Sequence, residues 1–168
     1  MARRVLIVQR VIFQYRRGFY ELLKELLDAE GIELALVCGQ PGPDEAGKRD
    51  LARVDWALER RTLSFPLGRR RLYWQPCLSA AHQADLVVVE QASKLLVNYV
   101  LLAEQMAGVK RLAFWGHGRT PKAAPPSRLG EAAKTFMSSR VHWWFAYNEL
   151  SASYVRSMGF PSARSRRS

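Results

Sequence analysis

The first forty residues alternate between two hydrophobic periods, and this alternation constrains the fold more than any other feature. Residues 5–8 form a continuous aliphatic run, which is typical of a strand buried on both faces. Residues 18–30 carry apolar side chains at helical spacing, and Gly31 follows as a helix stop. Residues 32–38 form a second aliphatic run. A strand, a helix and a strand in about 35 residues predict a βαβ unit with parallel strands.

The alternation returns after a less regular segment that spans residues 44–75. Further strands are predicted at 58–65, 85–90, 111–115 and 142–147, and helices after Pro76, at 93–107, from 127 and at 149–159. Six strands separated by helices predict a single doubly wound α/β domain over residues 1–161, with a mostly parallel sheet and helices on both faces. Residues 162–168 are a low-complexity basic segment, for which we predict a disordered tail.

The charge of the chain limits its partners. The 168 residues include 26 Lys and Arg against 15 Asp and Glu, a formal net charge of +11. Such a balance favours anionic partners, namely nucleic acid, phosphorylated ligands or an acidic membrane surface. No apolar stretch reaches the roughly 18 residues that span a bilayer, and Cys38 and Cys77 match no metal or disulfide pattern. We therefore expect a cytoplasmic protein in a reducing compartment.

The segment after the first strand carries the first candidate site. Gln14, Tyr15, Arg16 and Arg17 stand directly ahead of the predicted helix. The segment lacks the Gly-x-Gly-x-x-Gly turn, so a tightly bound dinucleotide is not expected. Amide, phenol and guanidinium groups beside free backbone N–H groups suit a hydroxyl-rich or phosphorylated ligand. A solvated basic loop is the alternative, and this segment alone does not decide between the two.

Two further strand ends carry candidate residues. Glu90 and Gln91 could hold sugar hydroxyls or orient an arginine, and helix capping is the alternative. Residues 116–118 read Gly-His-Gly, where the glycines let the backbone bend and leave the imidazole in a cleft. His117 could there act as a base or a hydrogen-bond donor, and a packed structural histidine is the alternative. The chain contains no Walker lysine motif, metal-ligand cluster or Gly-x-Ser-x-Gly elbow. These absences exclude P-loop phosphotransfer enzymes, zinc enzymes and the usual serine hydrolases.

The order of several short segments resembles the N-terminal domain of retaining GT-B glycosyltransferases of the family-four, or group 1, type. The resemblance runs from about Arg4 to Pro161. The residues that carry it are Gln14-Tyr15-Arg16-Arg17-Gly18-Phe19-Tyr20, Val87-Val88-Val89-Glu90-Gln91, Leu112-Ala113-Phe114-Trp115-Gly116-His117-Gly118-Arg119, Ala146-Tyr147-Asn148-Glu149 and Met158-Gly159-Phe160-Pro161.

The resemblance implies two Rossmann-like domains that face each other across a cleft, the N-terminal one for the acceptor and the C-terminal one for a nucleotide-sugar donor. It implies a catalytic role for His117 and donor contacts for Gly116 and Gly118. The acceptor contacts that we assign are Gln14, Tyr15, Arg16, Arg17, Glu90, Gln91 and Arg119. No metal or other cofactor is expected, because basic side chains and helix N-termini neutralise the leaving diphosphate in this fold.

The chain departs from this family in its length. A complete enzyme of the type is roughly twice as long, and its donor-binding motifs would follow the last predicted helix. We therefore expect a truncated chain that is the acceptor-binding half of a glycosyltransferase acting on a glycan or lipid-linked acceptor, and that is inactive alone. Its basic surface predicts peripheral contact with the anionic inner face of the membrane. The alternative is a basic Rossmann-like module that binds nucleic acid or a membrane surface.

Overall fold

The computed structural model describes residues 3–41, 50–68, 70–117 and 135–167. The strands are β1 (Arg3–Gln9), β2 (Ile32–Gly39), β3 (Leu58–Arg60), β4 (Leu63–Leu67), β5 (Arg70–Trp74), β6 (Leu86–Glu90), β7 (Arg111–Gly116), β8 (Trp143–Ala146) and β9 (Ser165–Arg167). The helices are α1 (Gln14–Ala29), α2 (Leu78–His82), α3 (Val97–Met106) and α4 (Glu149–Ser157), and residues 135–140 are also helical.

Seven strands form one sheet in the order β3-β2-β1-β6-β7-β8-β9, while β4 and β5 form a separate antiparallel hairpin. The β1–β2, β2–β3, β7–β8 and β8–β9 pairs are parallel. The predicted α/β class with a mostly parallel, helix-flanked sheet is confirmed. Each of the six predicted strands contributes to the sheet, and β9 is the seventh. Among the described residues, no helix combines the length and the apolar character that crossing a membrane requires.

Residues 1–88 and 94–97 form one compact unit. Strand β1 pairs with β2 along its whole length, and the buried aliphatic residues of both strands form the core with Tyr20 of α1. Helix α1 begins at Gln14, whereas the sequence predicted a start at Gly18. The earlier start has a physical reason, since residues 14–17 favour helix and the extended Phe13 sets up the first turn. Residues 14–17 are therefore the first helical turn rather than a loop.

The segment between β2 and α3 differs most from prediction within this unit. The single strand predicted at 58–65 is instead β3 followed by the β4–β5 hairpin, whose turn includes Gly68 at a φ of +57°. The helix predicted from residue 93 begins only at Val97. The reason is that residues 94–96 bond to β5, where the Tyr73 N–H donates to the Lys94 carbonyl and the Leu96 N–H donates to the Tyr73 carbonyl.

Residues 89–93 and 98–168 form the second unit. Phe114 of β7 and Trp144 of β8 are fully buried, and their rings meet edge to face at 5.6 Å. Asn148 caps the N-terminus of α4, because its Oδ1 accepts a hydrogen bond of 2.8 Å from the Ser151 N–H. Phe136, in the helical residues 135–140, is 47% exposed.

The prediction of a disordered tail at 162–168 is wrong for the described residues 162–167. Residues 162–164 form a 3-10 turn, and β9 then pairs in parallel with β8. Phe160 is buried just ahead of this turn and anchors the segment. Strand β8 offers an edge of backbone donors and acceptors, so a strand with no apolar side chain can add to it through the backbone alone.

Candidate functional site

The carboxyl end of β1 carries a buried amide in the first unit. Gln9 is the last residue of β1 and is 3% exposed. Its Oε1 accepts a long hydrogen bond of 3.4 Å from Nη1 of Arg16. Within the described part of the chain, Nε2 of Gln9 has no hydrogen-bond partner. A buried N–H without a partner is uncommon and costs about 1–3 kcal/mol. The end of β1 therefore retains an unused donor next to the Arg16 guanidinium.

The Arg16 guanidinium is held from two sides in the first turn of α1. Its Nε donates to the Tyr15 hydroxyl at 3.2 Å, while Gln9 accepts from Nη1. The first turn contains no acidic residue, and among the described residues no side chain caps its N-terminus. Arg17 differs from Arg16, because it faces Glu21 one turn along the helix at 3.9 Å. This end of the helix is therefore electropositive, with one oriented guanidinium.

Gln14, the remaining residue predicted in this segment, is exposed and its backbone is fixed. The Gln14 N–H donates to the Asp50 carbonyl at 2.7 Å, and the ring of Phe13 stacks on that of Tyr15 at 5.9 Å. The structure thus brings Gln14, Tyr15, Arg16 and Arg17 together on one helical turn. The site residue that sequence reasoning missed here is Gln9, whose signal is a polar residue at the end of a buried aliphatic run.

A tightly packed polar cluster supports the end of β1. Gln75 is fully buried, and its Nε2 donates to the Gln9 carbonyl at 2.9 Å. A Cβ built on Gly39 would lie 2.7 Å from both the Gln75 Nε2 and the Arg10 carbonyl oxygen, and closer still to the Thr62 Oγ1. This separation leaves no room for a side chain, so only glycine fits at the end of β2. The cluster fixes the backbone from which the Gln9 side chain projects.

Two cations share one aromatic ring beside this cluster. The Arg10 guanidinium carbon lies 5.5 Å from the centre of the Tyr73 ring, and the Lys94 ammonium lies 5.4 Å from it. An aromatic face attracts cations through its quadrupole, which lets Tyr73 hold both. Arg10 directly follows Gln9 in the sequence. The first unit therefore gathers positive charge at the end of β1, as an anionic ligand requires.

A cavity of about 550 Å³ lies in the same unit, on the side of Cys38 and Gly39. Its lining is mixed, with aliphatic residues beside Arg53, Asp55 and Glu59. Arg53 and Glu59 face each other at 3.5 Å, so the charges of the lining partly neutralise one another. Burial raises the pKa of the Cys38 thiol, and the Glu59 carboxylate raises it further. Cys38 is thus kept as a neutral thiol rather than an activated nucleophile.

The second unit carries its own polar set at the end of β6. The Gln91 N–H donates to the Trp115 carbonyl at 3.1 Å, and its Nε2 donates to the Ser138 hydroxyl at 3.2 Å. A Cβ on Gly116 would lie 3.3 Å from the Cβ of Gln91, so these two chain segments are in close contact. The structure therefore brings Gln91 and Gly116 together. Ser138, which orients the Gln91 amide, was missed.

Glu90 is held through its backbone. Asn98 is fully buried in α3, and its Nδ2 donates to the Glu90 carbonyl at 2.9 Å and to the Ala92 carbonyl at 3.4 Å. This amide clamp fixes the turn that leaves β6, while the Glu90 side chain remains partly exposed. A buried Asn that bonds two carbonyls is a structural element of the turn. A ligand contact for the Glu90 carboxylate stays a prediction.

His117 stands directly after β7 and is exposed. Its imidazole lies against the ring of Tyr147, with ring centres 4.4 Å apart, and the Trp115 indole lies 5.7 Å from the same ring. The Tyr147 N–H donates to the Gly116 carbonyl at 3.3 Å, which fixes this tyrosine beside the strand end. His117 is thus a supported but accessible imidazole, not a packed core histidine. Tyr147 is one of the residues that carry the resemblance, but the sequence did not predict it as a site residue.

The predicted site residues consequently form two sets, one in each unit. Gly118 and Arg119 lie outside the described residues. Their predicted donor and acceptor contacts, like the roles of the other site residues, stay predictions. In the parts of the chain that the structure describes, no group of three or more His, Cys, Asp or Glu side chains could hold a metal ion.

Known structures share this fold. No protein-family model matches the chain, and no curated protein matches it by sequence. The chain is similar to the UDP-GlcNAc 2-epimerase of Methanocaldococcus jannaschii, with 12% identity, a TM-score of 0.56 and coverage of 98% of this chain and 45% of that chain. It is also similar to the Neisseria meningitidis UDP-GlcNAc 2-epimerase bound to UDP-GlcNAc, with 15% identity and a TM-score of 0.55. This match covers 98% of the present chain and 46% of the epimerase chain.

A third match is Anabaena Alr3699/HepE in complex with UDP-glucose, with 12% identity and a TM-score of 0.58. It covers 98% of the present chain and 43% of the HepE chain. The chain has a Rossmann-like, GT-B-type fold. It spans less than half the length of these three structures. The GT-B part of the resemblance is confirmed, and the assignment to family four stays a prediction.

Proposed function

We propose that this chain is the acceptor-side half of a nucleotide-sugar-dependent enzyme of the GT-B type, and that the reaction is glycosyl transfer. Two matched structures contain UDP-GlcNAc or UDP-glucose, which supports a nucleotide-sugar as the donor class. The donor-binding half would be a second, separate domain of the enzyme. The chain alone therefore supplies acceptor contacts and transfers little or no sugar.

The oriented Arg16 guanidinium carries this proposal. It lies at the N-terminus of a 16-residue helix, and Tyr15 and Gln9 fix its direction. Helix N-termini and guanidinium groups both favour anions, and the buried Gln9 carboxamide helps to hold the guanidinium in place. A phosphate fits these donors better than a neutral saccharide does. The acceptor class that we propose is accordingly a lipid-linked glycan, bound through its phosphate and glycosylated on a sugar hydroxyl.

His117 is the proposed catalytic residue. In retaining transfer the acceptor hydroxyl bonds to the anomeric carbon, the nucleoside diphosphate leaves with the bonding electron pair, and the hydroxyl proton passes to that leaving group. The exposed imidazole at the end of β7 can hydrogen-bond the donor sugar beside the reacting carbon. The Tyr147 ring packs against the imidazole and supports it from one side.

The binding test uses a short polyprenyl phosphate and compares two neighbouring arginines. Arg16→Gln removes the oriented guanidinium, whereas Arg17→Gln, the matched control, removes an exposed charge that faces Glu21. We expect Arg16→Gln to weaken binding about tenfold, because a charge-assisted hydrogen bond contributes about 1.5–3 kcal/mol. The control should stay within about twofold. Equal loss in the two variants would show that only net charge matters and would refute the proposal.

Epimerisation is the second candidate, since two of the three structures described above are UDP-GlcNAc 2-epimerases. The two reactions leave different products. If the reaction is epimerisation, NMR of UDP-GlcNAc incubated with the complete enzyme would show the C2 epimer and no free UDP. If the reaction is glycosyl transfer, it would show UDP and a glycosylated acceptor.

A further inference from the structure

The β4–β5 hairpin lies outside the main sheet and has one apolar face. Opposite residues of an antiparallel pair share a face, and in this register Leu63 pairs with Trp74. Phe65 pairs with Leu72, and Leu67 lies two residues further along the same face. The exposed fractions of Leu63, Phe65 and Leu67 are 41%, 47% and 60%. These five side chains, which we call the apolar hairpin face, are typical of an interaction surface because a core would bury them.

The opposite face of the hairpin is polar and contacts the rest of the first unit. Nη1 of Arg71 donates to the Ser64 hydroxyl at 3.1 Å. The side chains of Arg10 and Lys94 lie against the Tyr73 ring, and the Tyr73 N–H donates to the Lys94 carbonyl at 2.8 Å. The unit therefore holds the hairpin through its polar face and leaves the apolar hairpin face exposed.

The segment that forms the hairpin is strongly basic. Residues 60–71 contain five arginines and no acidic residue, so they carry +5 of the net charge of +11. Glu59 directly precedes the segment, but it already faces Arg53 at 3.5 Å. The next acidic residue along the sequence is Asp85. The positive charge beside the apolar hairpin face is therefore not balanced by acidic residues of its own segment.

We infer that the apolar hairpin face is the part of this chain that contacts an anionic lipid surface. Apolar side chains at such a surface enter the boundary of the acyl chains, while arginines are attracted to the lipid phosphates. Trp74 adds to this character, because indole rings are enriched at membrane interfaces. The composition predicted contact with an anionic membrane, and the hairpin gives that contact a place in the fold.

The charge of the segment favours lipid over the other possible occupants. Two copies of this chain that met through their hairpins would bring two segments of +5 together, and these would repel. Nucleic acid attracts arginines through its phosphates but offers no apolar phase for Leu63 and Leu67. An anionic bilayer offers both a negative surface and an apolar interior.

The position of the hairpin also suits a lipid-linked acceptor. Tyr73 contacts Arg10, which follows Gln9 at the end of β1, and the Gln9 amide holds the Arg16 guanidinium. A phosphate at Arg16 would therefore be bound in the same unit as the membrane contact and close to it along the chain. The inference itself stands on the hairpin alone and does not require the acceptor proposed above.

Co-sedimentation of the whole chain with vesicles tests the inference. The vesicles are phosphatidylcholine alone, or equal parts phosphatidylcholine and phosphatidylglycerol, and they contain no lipid-linked glycan. We expect binding to the anionic vesicles, and we expect Phe65→Ser with Leu67→Ser to weaken it at least about tenfold, because less apolar area is buried on insertion. Leu150→Ser is the matched control, since Leu150 is 83% exposed on α4 and should not matter. Circular dichroism checks that the variants fold.

Single charge variants test the electrostatic part. Arg61 is exposed beside the hairpin, and Arg61→Gln should weaken binding to the anionic vesicles about fivefold. Arg3→Gln is the matched control, because Arg3 is exposed at the amino end of β1, and it should have a smaller effect. Equal binding to the two kinds of vesicle, no binding to either, or binding that the Phe65 and Leu67 substitutions leave unchanged would overturn the inference.

Trp74 reports whether the hairpin itself enters the lipid. Brominated acyl chains quench tryptophan fluorescence on contact, and Trp74 is one of the five tryptophans of the chain. We expect quenching by brominated anionic vesicles that Trp74→Phe largely removes. Equal quenching in the two proteins would overturn the inference, since another part of the chain would then enter the lipid.

Discussion

Gly39 gives the sharpest test of the packing that positions the candidate site. In Gly39→Ala the new methyl group would lie 2.7 Å from the Arg10 carbonyl oxygen and 2.7 Å from the Gln75 Nε2, and closer still to the Thr62 Oγ1. All three distances are shorter than any real Cβ contact. The Thr62 hydroxyl can rotate away, but the carbonyl belongs to the backbone and the Gln75 amide is fully buried.

The loss of unfolding free energy in Gly39→Ala depends on which neighbouring groups the new methyl displaces. Overpacking a close-packed site costs about 1–3 kcal/mol. Displacing Gln75 also removes its 2.9 Å hydrogen bond to the Gln9 carbonyl, and a buried acceptor without a partner costs about 1–3 kcal/mol more. We therefore expect Gly39→Ala to lower the free energy of unfolding by about 2–6 kcal/mol. Urea unfolding followed by circular dichroism measures this difference.

Gly18→Ala is the matched control. Gly18 lies within α1, and among the described residues nothing lies within 4 Å of a Cβ built there. Alanine has the higher helix propensity, so this variant should be more stable by about 0.5–1 kcal/mol. Equal stability of Gly39→Ala and the unmodified chain would refute the packing argument. It would mean that β2 and Gln75 are not held together by these contacts.

Three further predictions concern other contacts. Asn148→Ala should lower the free energy of unfolding by about 1 kcal/mol through loss of the α4 cap, measured by urea unfolding, and an unchanged midpoint would contradict this. Cys38 should react with iodoacetamide more slowly than a free thiol at mildly alkaline pH, because burial and the Glu59 carboxylate raise its pKa. Glu59→Gln should speed the reaction. Equal reaction rates in the variant and the unmodified chain would contradict the role of Glu59. Burial, and then the Arg111 charge, lower the pKa of His142 below 6.5. The unfolded chain therefore binds more protons than the folded chain, and the stability of the fold should fall as the pH drops below 6.5. The fall should be smaller in His142→Gln. Identical pH profiles of the melting temperature in the two proteins would contradict the last prediction.

The strands of the sheet could be predicted from the sequence because their aliphatic runs are long and uninterrupted. Residues 5–8 and 85–90 are examples, since no helix-period pattern competes there. The β4–β5 hairpin and β9 could not be predicted in the same way. Strand β4 alternates apolar and polar residues but is exposed along its length, and β9 is held by backbone pairing to β8, so neither has a buried aliphatic run.

The candidate site was predictable where it depends on strand ends. Arg16, Gln91 and His117 follow strands that the aliphatic pattern locates, so their positions come from local sequence. Gln9 could not be assigned a role in this way. Its partners are Arg16 on the next helix and Gln75, which is 66 residues away. Contacts between residues so far apart depend on the tertiary fold.

Isotope-labelled NMR titration of this chain tests the central claim most directly. The two ligands are a short polyprenyl phosphate and UDP-GlcNAc. We predict that the lipid phosphate shifts the backbone amides of residues 14–17 and that Arg16→Gln weakens these shifts, while UDP-GlcNAc binds weakly. Micromolar binding of UDP-GlcNAc to this chain, with no response to the lipid phosphate, would contradict the assignment of this half to the acceptor.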